Sequence, residues 1–232
     1  MRHLAIDVGN TRVKSALWTD GIKSEWDGKP VDMALASVTG NTPNWKALMP
    51  GVNVELLTNE RRLPIAIDYK TPDSLGADRK AAACGAWRML GGVYGCVVID
   101  AGTCVTIDWI DRKGTYHGGA ILPGVEMKFK ALNNFTARLP LLHVQDVMQD
   151  LDCGLTGKST HESMVAGVIE ATKIELEGFV AKYRQLDSEL QVIMTGGDAE
   201  LLRSSDEWRI EKDLVLIGLH EIMMEAAQTE KQ

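Results

Sequence analysis

The segment from Leu4 to Trp18 reads LAIDVGNTRVKSALW, and the segment from Val97 to Ile110 reads VVIDAGTCVTIDWI, so the second repeats the first with one residue removed. Each copy has three apolar residues, an Asp, a small apolar residue, a Gly and a Thr, and then alternates apolar with polar positions. An apolar run, a polar turn and a period-two alternation predict a buried strand, a tight turn and a second strand. That is a β-hairpin with an acid at its turn. Finding it twice predicts duplication of one supersecondary unit, with domains at residues 1–93 and 94–232 and a boundary near Gly91 to Gly95.

The rest of the chain supplies the elements such a duplication needs. Asp73 to Leu90 is rich in Ala and follows Thr71-Pro72, which predicts a helix whose start is set by the Pro and a capping acid. Trp45 to Leu57 is too mixed to assign. Glu162 to Tyr183 places Val165, Ile169, Ile174, Leu176, Phe179 and Val180 at roughly helical intervals, and Leu190 to Thr195 reads as a strand ending in Gly196-Gly197. No Pro-rich linker or low-complexity tract separates the halves, so they are expected to pack closely around a central cleft.

Composition excludes several classes of function. Apolar residues make up 45% and charged residues 25%, the balance of a chain that buries a core. A net charge of −7 is unsuited to gripping a phosphate backbone, so nucleic acid is not an expected partner. The longest apolar runs, such as Leu214 to Leu219, fall far short of the ~20 residues of a membrane span. Met1 leads directly into a strand-like segment without a secretory signal, which predicts a cytoplasmic protein. Cys84, Cys96, Cys104 and Cys153 lack metal-binding spacing and are expected to be buried, reduced thiols. The five histidines are too scattered to nominate as ligands. Met223-Met224, with Leu219 and Ile222, reads as part of a packed terminal helix.

The chemistry lies in the turns. Asp7-Val8-Gly9-Asn10-Thr11 combines a carboxylate suited to a hydrated divalent cation, a Gly that lets backbone amides approach an anion, and two short polar side chains. Asp100-Ala101-Gly102-Thr103 offers a second such turn, so the two could hold one polyphosphate from opposite sides. Phosphoryl transfer rewards that arrangement because its catalysis is mainly positioning and charge neutralisation. A simpler reading of either turn is a hairpin whose polar side chains satisfy its own backbone. Neither a Walker G-x-x-x-x-G-K-[ST] nor a dinucleotide G-x-G-x-x-G occurs.

An ordered set of motifs resembles the type III pantothenate kinases of the acetate-kinase, sugar-kinase, Hsc70 and actin superfamily. It comprises DVGNTRVK at Asp7 to Lys14, Tyr69 followed by LGADR at Leu75 to Arg79, and DAGT at Asp100 to Thr103. It continues with GGAILPG at Gly118 to Gly124, Thr160 ahead of Gly167, and TGGD at Thr195 to Asp198. The resemblance implies an α/β fold of duplicated ribonuclease-H-like, actin-like ATPase domains. It further implies ATP-dependent phosphorylation of pantothenate in coenzyme A synthesis, with Mg²⁺, a monovalent cation (K⁺ or NH₄⁺) and a homodimer.

By the same resemblance, Asp7, Val8, Gly9, Asn10, Thr11, Arg12, Val13 and Lys14 would form the ATP phosphate loop, with Asp7 helping to hold Mg²⁺ and Thr103 touching ATP. Asp100 would be associated with the monovalent cation. Tyr69, Gly76, Ala77, Asp78, Arg79 and Thr160 would line the pantothenate pocket, and Asp78 would be the general base. Read by itself, Asp78 is an acid early in a helix, where the dipole keeps it ionised and also gives it a purely structural use. Arg79 offers a planar fork for the substrate carboxylate or for an ordinary ion pair. Gly118-Gly119 and Pro123-Gly124 read as backbone turns. Cys104 stands where the family often has Ala, a small-for-small change, and the chain is somewhat shorter than many relatives. Two rivals remain open: another small-molecule kinase of the superfamily, and a non-catalytic regulatory relative.

Overall fold

The computed structural model describes residues 1–10, 12–147 and 154–229. Its strands, in chain order, are β1 (Arg2–Val8), β2 (Val13–Thr19), β3 (Ile22–Ser24), β4 (Met33–Val38), β5 (Val54–Leu56), β6 (Ala66–Ile67), β7 (Cys96–Ala101), β8 (Cys104–Ile110), β9 (Thr115–Pro123), β10 (Gln191–Thr195) and β11 (Arg209–Ile210). The helices are α1 (Trp45–Leu48), α2 (Ala77–Met89), α3 (Val125–Asn134), α4 (Val144–Val147), α5 (Thr160–Val165), α6 (Ala171–Arg184), α7 (Ala199–Leu202) and α8 (Leu214–Thr229). The chain divides into two compact units. One comprises Met1–Cys96, Asp108–Gly118 and Asp213–Gln232, and the other Val97–Ile107 and Gly119–Lys212.

The first unit rests on a five-stranded sheet in the order β3-β2-β1-β4-β5. β1 pairs antiparallel with β2 from Arg2↔Thr19 to Val8↔Val13, which is the first hairpin read from the sequence. β4 runs parallel to β1, and β5 parallel to β4. Leu4, Ala5 and Ile6 are fully buried. A central strand covered on both faces needs such an unbroken apolar run rather than an alternation. Leu4, Ile6 and Val8 pack with Ala34, Ala36 and Met49 beneath the half-buried Trp26 and Trp45. α1 and β5 both fall inside the stretch 45–57, whose mixed composition carries no period of its own.

α2 and α8 pack along one another, and α8 also lies against β1 and β4. Every residue of α2 from Arg79 to Trp87 is buried, so its sequence has no apolar stripe and is rich in Ala instead. The helices meet at Gly85 and Gly218. A Cβ at Gly85 would lie 2.6 Å from the carbonyl oxygen of Leu214, and one at Gly218 would collide with the carbonyl of Ala81. Backbone-to-backbone approach of this kind excludes any side chain at either position.

The start of α2 differs from the sequence expectation. Thr71-Pro72 opens a single 3₁₀ turn, Pro72–Ser74, closed by the Ser74 hydroxyl donating to the Thr71 carbonyl at 2.8 Å. Leu75 is then extended, and Gly76 is the residue before the first turn of α2. The Pro and the acid therefore shape a separate turn, and Asp78 rather than Asp73 is the acid in the first turn of the helix.

In the second unit the strand order is β11-β10-β7-β8-β9, with β10 and β11 parallel. The last residues of β8, from Asp108, and the first of β9, to Gly118, belong to the other unit, where Ala66↔Thr115 and Ile67↔Tyr116 pair β6 with β9 in parallel. Of the two pairs read from sequence as turns, Gly118-Gly119 and Pro123 lie within β9, and only Gly124 stands outside it, as the residue preceding α3. The predicted helix at 162–183 is continuous from Thr160 to Arg184 but contains a π segment at Ala166–Glu170. Ser159 caps it by accepting the Glu162 N–H at 3.1 Å.

Cys84 and Cys96 are free and buried, and burial pushes the Cys96 thiol up to about 12. Cys104 is free and only half-buried, because it sits at the mouth of the second hairpin; Cys153 lies outside the described residues. Among the described residues no helix is long and apolar enough to cross a membrane.

Candidate active site

In the first unit, β1 ends in Asp7-Val8, and the Gly9 N–H closes the turn on the Arg12 carbonyl at 3.0 Å. Thr39, just past β4, donates both its N–H and its hydroxyl to the Val8 carbonyl, at 3.0 and 3.2 Å. The turn is thus fixed at its base. Asn10, Arg12, Val13 and Lys14 are exposed, and Thr11 lies outside the described residues.

Asp7 pairs in register with Lys14 on β2, at the edge of the turn. Burial, and after it the negative charge of Asp78, raise the Asp7 carboxyl from its ordinary value to about 6, against the opposing pull of Lys14. Asp78 accepts the Arg79 backbone N–H at 2.8 Å. Its carboxyl is raised by burial, the largest influence, while that N–H and the Arg79 guanidinium oppose the rise and Asp108 adds to it. Two partly desolvated acids therefore influence each other within one unit.

Arg79 is buried and its planar edge is occupied. Its Nε donates to the two Asp108 carboxylate oxygens at 3.1 and 3.2 Å, and its Nη2 donates to Oδ1 at 2.5 Å. The Tyr116 hydroxyl donates to the same Oδ1 at 2.7 Å. Asp108 is 1% exposed and Tyr116 0%, so the trio is a closed, charge-assisted network and not a surface pair. Burial alone would lower the Arg79 pKa, but the Asp108 carboxylate outweighs it and holds the guanidinium firmly protonated. Tyr69 packs its ring 6.1 Å from that of Tyr116, and a Cβ at Gly118, whose φ is +87°, would lie 3.0 Å from Tyr69 Cε2. Glycine here lets the tyrosine ring rest on the strand.

In the second unit, β7 ends in Asp100-Ala101, and the Gly102 N–H donates to the Cys104 carbonyl at 3.0 Å. This hairpin turn is enclosed by backbone. The Asp198 N–H donates to the Ala101 carbonyl at 2.9 Å, and a Cβ at Gly196, whose φ is +93°, would strike that carbonyl and lie 2.6 Å from Asp100 Oδ1. Gly124 donates its N–H to the Thr103 carbonyl at 3.2 Å and tolerates no Cβ against Gly102 and Thr103. Gly196 of TGGD and Gly124 of GGAILPG therefore share one effect, close approach to the turn that carries Asp100 and Thr103. Thr160 borders a cavity of about 760 Å³, lined also by Leu132, Leu139, Ser163, Met164 and Gly167.

The structure thus brings Asp7, Asp78, Arg79 and Tyr69 into one unit, with Gly76 and Ala77 forming the entry to α2. Asp100, Thr103 and Thr160 belong to the other. Sequence reading missed Asp108 and Tyr116. The signal for Asp108 was available: an acid flanked by Ile107 and Trp109 within a strand whose one other polar residue is Thr106.

Among the described residues no group of three or more His, Cys, Asp or Glu side chains could hold a metal unaided. Mg²⁺ does not need one, since it commonly takes one or two carboxylates and completes its shell with water and substrate phosphates. A partly desolvated Asp7 beside another acid is suited to that use.

The sequence profile of the type III pantothenate kinase family matches residues 31–182. A type III pantothenate kinase of Cytophaga hutchinsonii is 38% identical over 95% of this chain and 98% of its own length. Another, of Flavobacterium johnsoniae, is 34% identical over 86% and 87%. Among solved structures, a conserved protein of Campylobacter jejuni assigned to the Baf family of transcriptional activators superposes with a TM-score of 0.61 at 21% identity, covering 97% of this chain and 99% of that one. A ROK family protein of Streptococcus pneumoniae superposes with a TM-score of 0.53 at 13% identity, covering 98% and 100%. These place the fold among the duplicated ribonuclease-H-like, actin-like α/β proteins. With the profile spanning most of the chain and curated relatives matched over nearly their whole length, the chain belongs to the type III pantothenate kinase family.

Proposed function

We propose that this chain transfers the γ-phosphoryl group of ATP to the 4′-hydroxyl of pantothenate, the first step of coenzyme A synthesis. The observation that carries the reading is the placement of Asp78, from the LGADR motif, within electrostatic reach of Asp7, from the DVGN turn, in a chain of this family. The hydroxyl oxygen forms a bond to the γ-phosphorus as the bond from that phosphorus to the β,γ-bridging oxygen breaks. The hydroxyl proton passes to Asp78, and ADP leaves. In a loose transition state bonding to the nucleophile is weak, so Asp78 contributes chiefly by aiming the hydroxyl and receiving its proton late. Its raised proton affinity suits that second task.

Asp7 and the turn from Val8 to Lys14 hold the ATP phosphates, with Arg12 and Lys14 supplying positive charge. Asp7 helps to hold Mg²⁺, which supplies charge neutralisation at the phosphates. Asp100 and Thr103 address the nucleotide from the second hairpin, and Asp100 holds K⁺ or NH₄⁺. Tyr69, Gly76, Ala77, Arg79 and Thr160 form the pantothenate pocket. The enzyme acts as a cytoplasmic homodimer whose two domains, 1–93 and 94–232, arose by duplication.

The test is a coupled assay measuring ADP release and 4′-phosphopantothenate with ATP and Mg²⁺, with and without K⁺ or NH₄⁺. Product is expected only with pantothenate present, and more of it with the monovalent cation. Folded protein that makes none with either cation, or that phosphorylates a sugar instead, overturns the assignment. Sedimentation at micromolar protein tests the dimer.

A further inference from the structure

The buried acid of β8 has no part in the reaction as described above, yet it holds the side chain that follows Asp78. We propose that Asp108, steadied by the Tyr116 hydroxyl, is a positioning residue that sets the Arg79 guanidinium for the acidic substrate. This rests on the proposed function and names how the pocket recognises a carboxylate.

Three observations carry the inference. First, Asp108 takes the Nε and Nη2 edge of Arg79, so the guanidinium is fixed in plane and in rotation, and the Nη1 corner is turned away from that partner. An arginine side chain carries considerable rotamer entropy, and a partner that removes it beforehand lets each later hydrogen bond form at lower cost. Second, the holder is itself held. The Tyr116 hydroxyl donates to the same carboxylate oxygen as Nη2, and Tyr116 is on β9, whose first residues pair with β6. Tyr69 follows β6 by two residues and rests its ring near Tyr116 and against Gly118. One buried carboxylate therefore links the placement of two residues nominated for the pantothenate pocket. Third, the charge matters beside Asp78. Asp78 feels Asp108 from β8 and Arg79 from its own helix, and it shares a field with Asp7 from β1, which Lys14 on β2 tempers. Neutralising Asp108 would remove one negative charge and loosen the positive one.

These observations also explain why an acid is tolerated at a buried strand position. Asp108 meets two strong donors, so its desolvation is compensated by charge-assisted bonds. Asparagine has the same shape and only one oxygen, and it carries no charge with which to orient the fork.

The experiment compares wild type with Asp108→Asn, Asp108→Glu and Tyr116→Phe, measuring KM for pantothenate and for ATP separately, together with the pH profile of kcat. With Asp108→Asn, KM for pantothenate is expected to rise and kcat to fall, by a combined factor of about 10², with KM for ATP nearly constant. The acid limb of the profile should move, because Asp78 loses a negative neighbour and the Arg79 charge beside it is loosened. Asp108→Glu keeps the charge, so the limb should stay near its wild-type position while KM for pantothenate remains raised. Tyr116→Phe leaves the ion pair whole and should give a smaller rise in the same KM; it carries the test if Asp108→Asn does not fold. A merely structural role predicts fewer active molecules, with both KM values and the limb unmoved, and that result overturns the proposal. A wild-type enzyme inactive on pantothenate sinks the proposed function and this inference together. An active wild type with an unaltered Asp108→Asn variant sinks this inference alone.

Discussion

The two hairpins begin with the same residues and end in different surroundings. The first turn, between β1 and β2, is held only at its base, and its side chains from Asn10 to Lys14, where described, stand in solvent. The second, between β7 and β8, is walled by backbone from Gly124, Gly196 and Asp198. The first keeps a raised carboxyl near a second acid, whereas the second invests in close glycine packing. A duplicated pattern thus preserves the element and its acid, while the neighbours decide whether the turn is open or enclosed.

The contrast can be broken experimentally. The largest effect is expected beside the open turn: Asp78→Asn should reduce kcat by about 10²–10⁴-fold and leave ATP affinity intact. Equilibrium nucleotide binding and single-turnover rates check this, and an unchanged kcat removes Asp78 from the chemistry. The enclosed turn should respond in stability instead. Gly196→Ala places a Cβ on the Ala101 carbonyl at a positive φ and should cost about 2–4 kcal/mol, whereas Asn10→Ala in the open turn should stay within about 0.5 kcal/mol. Urea unfolding of both variants measures the difference. If they destabilise equally, the enclosure has no energetic meaning.

The smallest effect sharpens the comparison through pH. The folded-state pKa of Asp7, about 6, is above its ordinary 3.8, so between those values the folded chain binds more protons than the unfolded one. Stability attributable to this group is then lost as pH rises through that window. Asp7→Asn removes the loss and should raise stability at pH 8 by on the order of 1–2 kcal/mol, while abolishing activity. Thermal melts of wild type and variant at pH 4 and pH 8 test the sign. A variant less stable than wild type at pH 8 would contradict the raised carboxyl.

What could be read from the sequence followed the range of each interaction. Both hairpins were legible because strand period and turn residues are local, and the long helix ending at Arg184 was legible from its apolar spacing. The start of α2 was not, because Thr71 and Ser74 close a turn of their own that imitates a helix cap. The strand through Gly118-Gly119 was not, because glycines in a strand look like a turn until the Tyr69 ring that needs the space at Gly118 is known. The Arg79–Asp108–Tyr116 network escaped for the same reason: Arg79 and Asp108 are 29 residues apart, and no local period connects them. Of the proposed site, the residues in motifs were visible, and the residue that orients one of them was not.

The fit of Gly85 against Gly218 reaches beyond packing. The helix that carries Asp78 in its first turn finds its closest companion in a segment made more than a hundred residues later by the ribosome, bridged also by the Arg88–Glu225 ion pair across 137 positions. Until that segment emerges, Ala81 to Ala86 lack their closest packing surface. A nascent chain arrested before α8 should therefore lack the packing that settles α2, and that order should arrive late, in a single step of helix docking.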